Sequence, residues 1–168
     1  MRTDTYGMEK ETQTLIQALC RQDGQAQRRV LQLYGTMIFG QVARIVTCQE
    51  DAEEVYQDVF VKVFRNIQSY DSRQASLATW MSRIAYNESL NFVRRAQQPV
   101  IYVDDRDVDL ESIQDEALAQ VFQQQDEATI QLIERALDYL PPEELALITM
   151  FYFDDMSLKD IAYATDST

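Results

Sequence analysis

Histidine is absent from this chain of 168 residues, and there are two cysteines. Without histidine, the sequence lacks the commonest general base and the commonest metal ligand. Cys20 and Cys48 stand far apart and lack the CxxC spacing of a metal site or a redox pair. We therefore expect two reduced thiols, in or near the core of a cytoplasmic protein.

Glycine and proline are also scarce, with four and three residues. Alanine, leucine, glutamine and glutamate are plentiful, which favours helices and few tight turns. No apolar run approaches the ~20 residues of a transmembrane helix. The N-terminal sequence MRTDTYGMEKETQT lacks the apolar core of a secretory signal. With 46% apolar residues, the chain can form a core, and we predict an all-α protein.

Charge is distributed unevenly along the chain, whose net charge is −13. Residues 1–96 contain 12 basic and 11 acidic side chains, a net charge of +1. Residues 97–168 contain 3 basic and 17 acidic side chains, a net charge of −14. Because salt screens fields within ~8 Å, local charge decides the choice of partner. The overall acidity therefore does not exclude nucleic acid as a partner of the N-terminal part.

Apolar residues at helical spacing predict four helices in the first part of the chain. These helices cover residues 9–20, 25–46, 50–66 and 76–95. Thr47 and Glu50 match a capping box, and Ser76 is a candidate N-cap. Gly35 and Gly40 lie inside the second predicted helix, where they indicate a close approach of another helix. The four helices together predict a compact helical domain.

The C-terminal part predicts a linker followed by further helices. Residues 97–125 are acidic and read as the linker, and helical spacing returns between 130 and 140. Pro142 begins a helix that ends near Phe153. A turn and a short helix capped by Ser157 follow, which is how a helix-turn-helix unit begins, although a plain helical hairpin explains the pattern equally well.

One face of the 76–95 helix is polar and cationic. It contains Thr79, Arg83, Asn87, Asn91 and Arg94, which lie three or four residues apart. Arginine suits phosphate, and asparagine can address base edges. The preceding loop contains Tyr70 and Arg73, side chains suited to stacking on or binding an unpaired base. A solvated face of an ordinary helix would show the same pattern.

The 50–66 helix has a wide apolar arc that includes Phe60, Val61 and Phe64. Glu54, Gln57 and Asp58 border this arc. An apolar patch edged by acids fits a protein partner with a basic groove. A broad buried face in a small bundle is the alternative.

Nothing in the sequence indicates catalysis, and we predict that the chain is not an enzyme. It has no glycine-rich phosphate loop and no nucleophile motif. Four aspartates, at positions 104, 105, 107 and 109, lack the glycine and closing glutamate of a calcium loop. We expect neither a metal nor another cofactor.

Two motifs in order carry a family resemblance. DAEEVYQDVFVKVFRNI, followed by LATWMSRIAYNESLNFVRR, resembles the second domain of bacterial sigma factors of the extracytoplasmic-function group. ALDYLPPEELALITMFYFDDMSLKDIA resembles the start of their fourth domain. The resemblance implies a factor that binds core RNA polymerase and directs promoter recognition and melting in transcription initiation. It also implies an anti-sigma partner.

The resemblance assigns roles to residues of this chain. It implies polymerase binding by Asp51, Glu54, Gln57, Asp58, Phe60 and Phe64. It implies recognition of the minus-ten DNA element by Tyr70, Asp71, Ser72, Arg73, Ser76, Thr79, Trp80, Arg83, Asn87, Asn91, Arg94 and Arg95. The spacing of Trp80 places it mainly in the core.

The resemblance also implies a domain organisation. Domain two covers 1–96, the acidic linker 97–125 and an incomplete domain four 126–168. The family continues into a basic recognition helix that is absent from this sequence, so we expect no reading of the minus-thirty-five element. The apolar scaffold of domain four is represented by Leu137, Leu140, Leu145, Ile148, Phe151, Leu158 and Ile161. The linker acids could mimic nucleic acid in the polymerase cleft.

Two rival functions remain open at this point. A stand-alone DNA-binding regulator would use the helix-turn-helix without polymerase. An acidic helical adaptor would bind protein alone, and would not need Arg83 or Asn87 for DNA.

Overall fold

The computed structural model describes residues 3–96, 133, 135–137 and 139–166, with side chains described from Glu11 onward. Six α-helices are described: α1 (Thr3–Cys20), α2 (Gly24–Ile45), α3 (Gln49–Asn66), α4 (Leu77–Ala96), α5 (Pro142–Ile148) and α6 (Leu158–Thr165). A 3-10 turn, Ile67–Ser69, follows α3, and a π-helical turn, Thr149–Phe153, follows α5. The described residues contain no strand, and the predicted all-α class is confirmed. The predicted linker lies outside the described residues.

Polar side chains cap several of the helices. Asp23 accepts hydrogen bonds from the amides of Gln25 and Ala26 at the start of α2. Ser76 Oγ accepts from the Thr79 amide at 3.1 Å, which confirms the predicted cap of α4. Ser157 caps α6 in the same way.

The predicted capping box at α3 is wrong. The helix begins at Gln49, and its N-cap is Cys48, whose side chain makes no capping hydrogen bond. The Cys48 thiol instead donates to the Glu50 carboxylate at 3.2 Å. Glu50 is therefore too close to the helix start for the box geometry, which requires the acid at the third helical position. Cys48 is exposed, and Cys20 is half-buried.

The main core lies between α2, α3 and α4, with α1 packed beside α2. Its fully buried side chains share an aliphatic character and come from all four helices. Among them are Leu19, Val30, Ile38, Val42, Val55, Val59, Val63, Leu77, Met81 and Ala85. Trp80 is also buried, as its spacing predicted. Leu31 of α2, next to the buried Val30, is exposed.

The two glycines of α2 differ in their surroundings. A Cβ at Gly35 would lie 2.9 Å from the Tyr56 hydroxyl of α3, so the predicted close approach is confirmed there. A Cβ at Gly40 would meet only Arg44 of its own helix, at 3.8 Å. Gly40 therefore does not mark a helix contact.

The segment 142–166 packs on the outer side of α2 and α4. A second apolar cluster holds it there, formed by Ile45, Tyr86, Ala146, Met150, Ile161 and Ala164. Phe151 and Leu158, predicted as part of an apolar scaffold, are exposed instead. The π-helical turn and the left-handed residue Asp155 end the first helical stretch near Phe153, as predicted.

Candidate nucleic-acid interface

The polar face of α4 is only partly open to solvent. Asn87, Asn91 and Arg94 are exposed, and Arg83 is half-buried. Thr79 is 8% exposed, so the prediction of an open stripe is wrong at this position. The Thr79 hydroxyl lies 2.8 Å from Ser76 Oγ and donates to Asp160 of α6 at 3.2 Å. The open part of the stripe therefore runs from Arg83 to the end of the helix.

Tyr70, in the loop before α4, is turned toward the protein. Its ring lies 5.6 Å from the Trp80 ring, at an angle of 60°. Its hydroxyl donates to the Ala75 carbonyl at 3.1 Å, and burial raises the pKa of Tyr70. The ring therefore buttresses the loop, and stacking on an unpaired base would require it to turn outward.

Asp71 and Arg73 form an ion pair at the tip of this loop. Arg73 donates from Nε to Asp71 Oδ1 at 2.9 Å and from Nη2 to Asp71 Oδ2 at 2.8 Å. The Arg73 amide also donates to Asp71, at 3.0 Å. These bonds hold the pKa of the Asp71 carboxyl far below its usual range. Arg73 and Ser72 nevertheless remain exposed, and thus accessible to a ligand.

A cationic corner forms at the C-terminal end of α4. Arg94, Arg95 and Lys62 of α3 line one shallow depression together with Asn91. Arg95 donates to the Asn91 carbonyl at 3.1 Å, and Lys62 pairs with Glu88. Lys62 was missed in the sequence because it belongs to another helix. Only the packing of α3 on α4 brings it beside the stripe.

The predicted polymerase-binding residues lie on α3. Glu54, Gln57 and Asp58 are exposed on this helix, and Asp51 is half-buried. They share one helix, which makes a joint surface geometrically possible.

Phe60 is buried, as the alternative of a broad buried face predicted for this residue. Its ring is 4% exposed and packs between Tyr56 and Phe64, at centroid distances of 5.0 and 5.8 Å. The exposed apolar surface of this helix is therefore limited to Val61 and part of Phe64. Phe60 supports the surface from below.

Acidic side chains of segment 142–166 contact the α4 stripe. Asp166 accepts from Arg83 Nη2 with both carboxylate oxygens, at 2.6 Å each. Glu143 accepts from Arg94 Nε and Nη2 at 2.9 and 2.7 Å, and this bonding lowers the pKa of Glu143. Two of the stripe's arginines are thus bound within the chain.

A third contact of segment 142–166, made by Asp154, is more buried than these two. Asp154 accepts from Arg44 Nη1 at 3.0 Å and from the Tyr86 hydroxyl. Burial, followed by the hydrogen bond to Asp154, raises the pKa of Tyr86 strongly, so it stays protonated. Arg44 also lies 4.9 Å from the centre of the Phe153 ring.

Metal and membrane features were also sought in the described part of the chain. There, no three acidic or cysteine side chains are grouped closely enough to hold a metal ion. No helix within it combines the length and apolar character that a membrane crossing requires.

Comparison with known proteins shows what this site is similar to. Residues 30–98 match the family model described as sigma-70 region 2, a span that contains α3, the loop, α4 and most of α2. The chain is 27% identical to the ECF RNA polymerase sigma factor RpoE of Cereibacter sphaeroides, over 85% of this chain and 76% of the relative. The chain is thus similar to extracytoplasmic-function (ECF) RNA polymerase sigma factors, and its match to sigma-70 region 2 contains the site described above.

Two further relatives show the same similarity. The RNA polymerase sigma-H factor of Pseudomonas aeruginosa is 27% identical over 92% of this chain and 82% of the relative. The ECF RNA polymerase sigma factor SigE of Mycolicibacterium smegmatis is 30% identical over 67% of this chain and 42% of the relative. In this chain, the span that matches sigma-70 region 2 contains both the α3 surface and the α4 stripe. The segment 142–166 lies beyond that span.

Proposed function

We propose that this ECF sigma factor binds core RNA polymerase through α3 and recognises and melts promoter DNA through the loop and α4. The role in transcription initiation is that of its family. The observation that carries the finer assignment is the α4 face. It places Arg83, Asn87, Asn91 and Arg94 in one row on the segment that matches sigma-70 region 2.

The chemistry of the α4 row suits promoter DNA. Arginine binds phosphate as a planar fork, and an asparagine can pair with one base edge. Arg95 extends the positive charge at one end of the row, beside the Lys62–Glu88 ion pair. Bases that leave the duplex gain stacking and hydrogen bonds worth ~1–3 kcal/mol each, which favours melting. This supports reading of an opened strand by the loop and α4.

The surface of α3 supports the second half of the proposal. Glu54, Gln57 and Asp58 are exposed there, beside the apolar edge formed by Val61 and Phe64. Such a surface fits a basic groove on a protein partner. Phe60, buried beneath it, would act by holding the helix surface in shape.

Three further parts of the proposal rest on family membership. The chain would consist of domain two (1–96), an acidic linker (97–125) and a segment of domain four (126–168). It would act in the cytoplasm and be held by an anti-sigma partner until released. It would supply specificity to the polymerase, which carries the catalysis.

Run-off transcription with core polymerase on a promoter library tests this proposal. Asn87→Ala removes an exposed amide of the row, and we expect the yield at the recognised promoters to fall roughly tenfold, in line with ~1–3 kcal/mol per base contact. Gln32→Ala, an exposed amide on α2, is the matched control and should leave the yield unchanged.

Asp58→Ala tests the polymerase surface by measuring affinity for core enzyme. We expect weaker binding than for Glu11→Ala, an exposed acid on α1. If Asp58→Ala retains full affinity while promoter DNA binding persists without polymerase, a stand-alone regulator is the better description. If Asn87→Ala and Arg83→Ala leave promoter selection untouched, a protein-binding adaptor is favoured.

A further inference from the structure

Two buried polar atoms have no hydrogen-bond partner among the described residues. They are Gln41 Oε1, on α2, and Thr149 Oγ1, in the π-helical turn that follows α5. Both side chains are 1% exposed, so bulk water does not reach them. Buried polar groups are nearly always hydrogen-bonded, because an unpaired group loses its bonds to water without replacement. Each of these two atoms therefore needs a partner inside the protein.

Gln41 is bonded to α4 through only one of its amide atoms. Its Nε2 donates to Ser82 Oγ at 2.9 Å, in the buried contact between α2 and α4. If the amide is turned round, Oε1 accepts from the Ser82 hydroxyl and Nε2 is left over, so one amide atom is unpaired in either orientation. In the first orientation Ser82 Oγ only accepts, and its own hydrogen finds no acceptor within the described part of the chain.

Thr149 faces the stretch of α2 on which Gln41 lies. Leu145, about one turn before Thr149, lines a depression together with Ile45 of α2. Phe153, about one turn after it, lies against Arg44 of α2, 4.9 Å from the guanidinium carbon to the ring centre. Positions one turn apart share a helix face, so Thr149 is directed at α2 between these two contacts.

The second apolar cluster brings the three polar side chains to one place. Gln41 precedes the α2 member of that cluster by one helical turn, and Ser82 precedes its α4 member by one turn. Thr149 is the chain neighbour of its member in the π-helical turn. The three members are Ile45, Tyr86 and Met150, which are buried against one another. The three polar side chains therefore meet at the edge of this cluster.

We infer that one internal water molecule lies where α2, α4 and the π-helical turn meet, bonded to Gln41, Ser82 and Thr149. Water fits this place because it both donates and accepts, so it satisfies either orientation of the Gln41 amide. About three hydrogen bonds are usual for a buried water molecule. All three groups are neutral, which favours water over an ion.

This water joins two helices of the main bundle to a part of the chain more than 60 positions away. It would make the contact between them directional, whereas the apolar cluster beside it is not. The inference is independent of the proposed function, since none of the three residues belongs to the α3 surface or the α4 stripe.

Thr149→Val tests the water by the sign of its effect on stability. Valine matches the shape of threonine but replaces the hydroxyl by a methyl group. If the hydroxyl is bonded to water, its loss should raise the unfolding equilibrium constant by about twofold to tenfold. If the hydroxyl is unpaired, its removal relieves a buried polar group and the constant should fall, which would overturn the inference. Thr36→Val, at an exposed position of α2, is the control and should change urea unfolding little.

A double-mutant cycle tests whether Gln41 and Thr149 share the same partner. Gln41→Met keeps the length of the side chain and removes its amide. Because the water then has already lost a bond, Thr149→Val should cost at least about twofold less in this variant than in the unchanged chain. Equal costs in both backgrounds would contradict a shared water molecule. Ser82→Ala takes the place of Gln41→Met if the latter does not fold.

Magnetic relaxation dispersion of the water oxygen counts the long-lived internal water molecules directly. We expect the unchanged chain to hold one more of them than the double variant Gln41→Met with Thr149→Val, in which Ser82 alone remains. An equal count would overturn the inference even if the cycle shows coupling, because coupling without a lost water molecule indicates a direct hydrogen bond between the two side chains.

Discussion

Single residues in the loop before α4 have environments that the sequence alone does not predict. Tyr70 is placed against Trp80, and Asp71 is fixed by Arg73, two positions along the chain. The Asp71–Arg73 pair is exposed, so it contributes little to overall stability. Its effect is local: it keeps an arginine extended at the tip of a loop proposed to meet DNA.

Titration of the Asp71 carboxyl by NMR tests this pair. Hydrogen bonds from Arg73 lower its pKa, so the pair is intact at neutral pH and is lost only as pH falls through the lowered pKa. We expect a midpoint below that of an ordinary aspartate, and a return toward about 3.9 in Arg73→Ala. An unshifted midpoint in the unchanged chain would show that the two side chains do not pair in solution.

At the scale of whole elements, helix contacts decide how each face is used. In α2, Gly35 lies against Tyr56 of α3, whereas Gly40 lies against its own helix. In α3, Phe60 packs in the core against Tyr56, whereas the adjacent Val61 is exposed. Gly35 and Gly40 therefore differ in what they contact, although they lie in the same helix.

Replacing the two glycines by alanine separates these environments. Gly40→Ala should stabilise the fold by about 0.5–1 kcal/mol, because alanine favours the helix and the new Cβ meets nothing closer than 3.8 Å. Gly35→Ala should gain less or lose stability, since the Tyr56 hydroxyl must move from 2.9 Å. Urea unfolding of both variants measures the difference. Equal stabilisation would contradict the close approach at Gly35.

At the scale of the whole molecule, opposite charges meet across the fold. The part of the chain with a net charge of −14 contributes the acids, and the nearly neutral part contributes the arginines they bind. The apolar cluster around Met150 supplies the non-directional attachment beneath these pairs. Apolar packing thus attaches segment 142–166 to the rest of the fold. The ion pairs set which of its residues lie opposite which residues of α4.

Hydrogen exchange of Met150→Ala tests this division. Met150 is 0% exposed, and truncation of such a side chain typically costs 2–5 kcal/mol, so roughly that much should be lost from the attachment. We expect amides of 142–166 to exchange faster while those of α2 to α4 keep their protection. Tyr152→Ala, at a side chain that is 76% exposed, is the control. Simultaneous loss of protection in both parts would contradict separate attachment and indicate one cooperative unit.

The sequence by itself determined the described helices, most of their ends and the resemblance to a family. The signals for these helices are local: periodic apolar positions, the serine caps at Ser76 and Ser157, and Pro142 at a helix start. Local signals can be read from the sequence because they involve residues only a few positions apart. The polar row on α4 was visible for the same reason. Its residues share one helix face.

Tertiary structure alone decided which of these faces are open. Thr79 contacts Asp160, which lies 81 positions away in the chain, and Lys62 joins the stripe from another helix. The pairing of Arg83 with Asp166 spans 83 positions, a distance at which spacing carries no information. The physical reason is that helical periodicity fixes where a side chain points on its own helix. What it meets there depends on how distant helices pack.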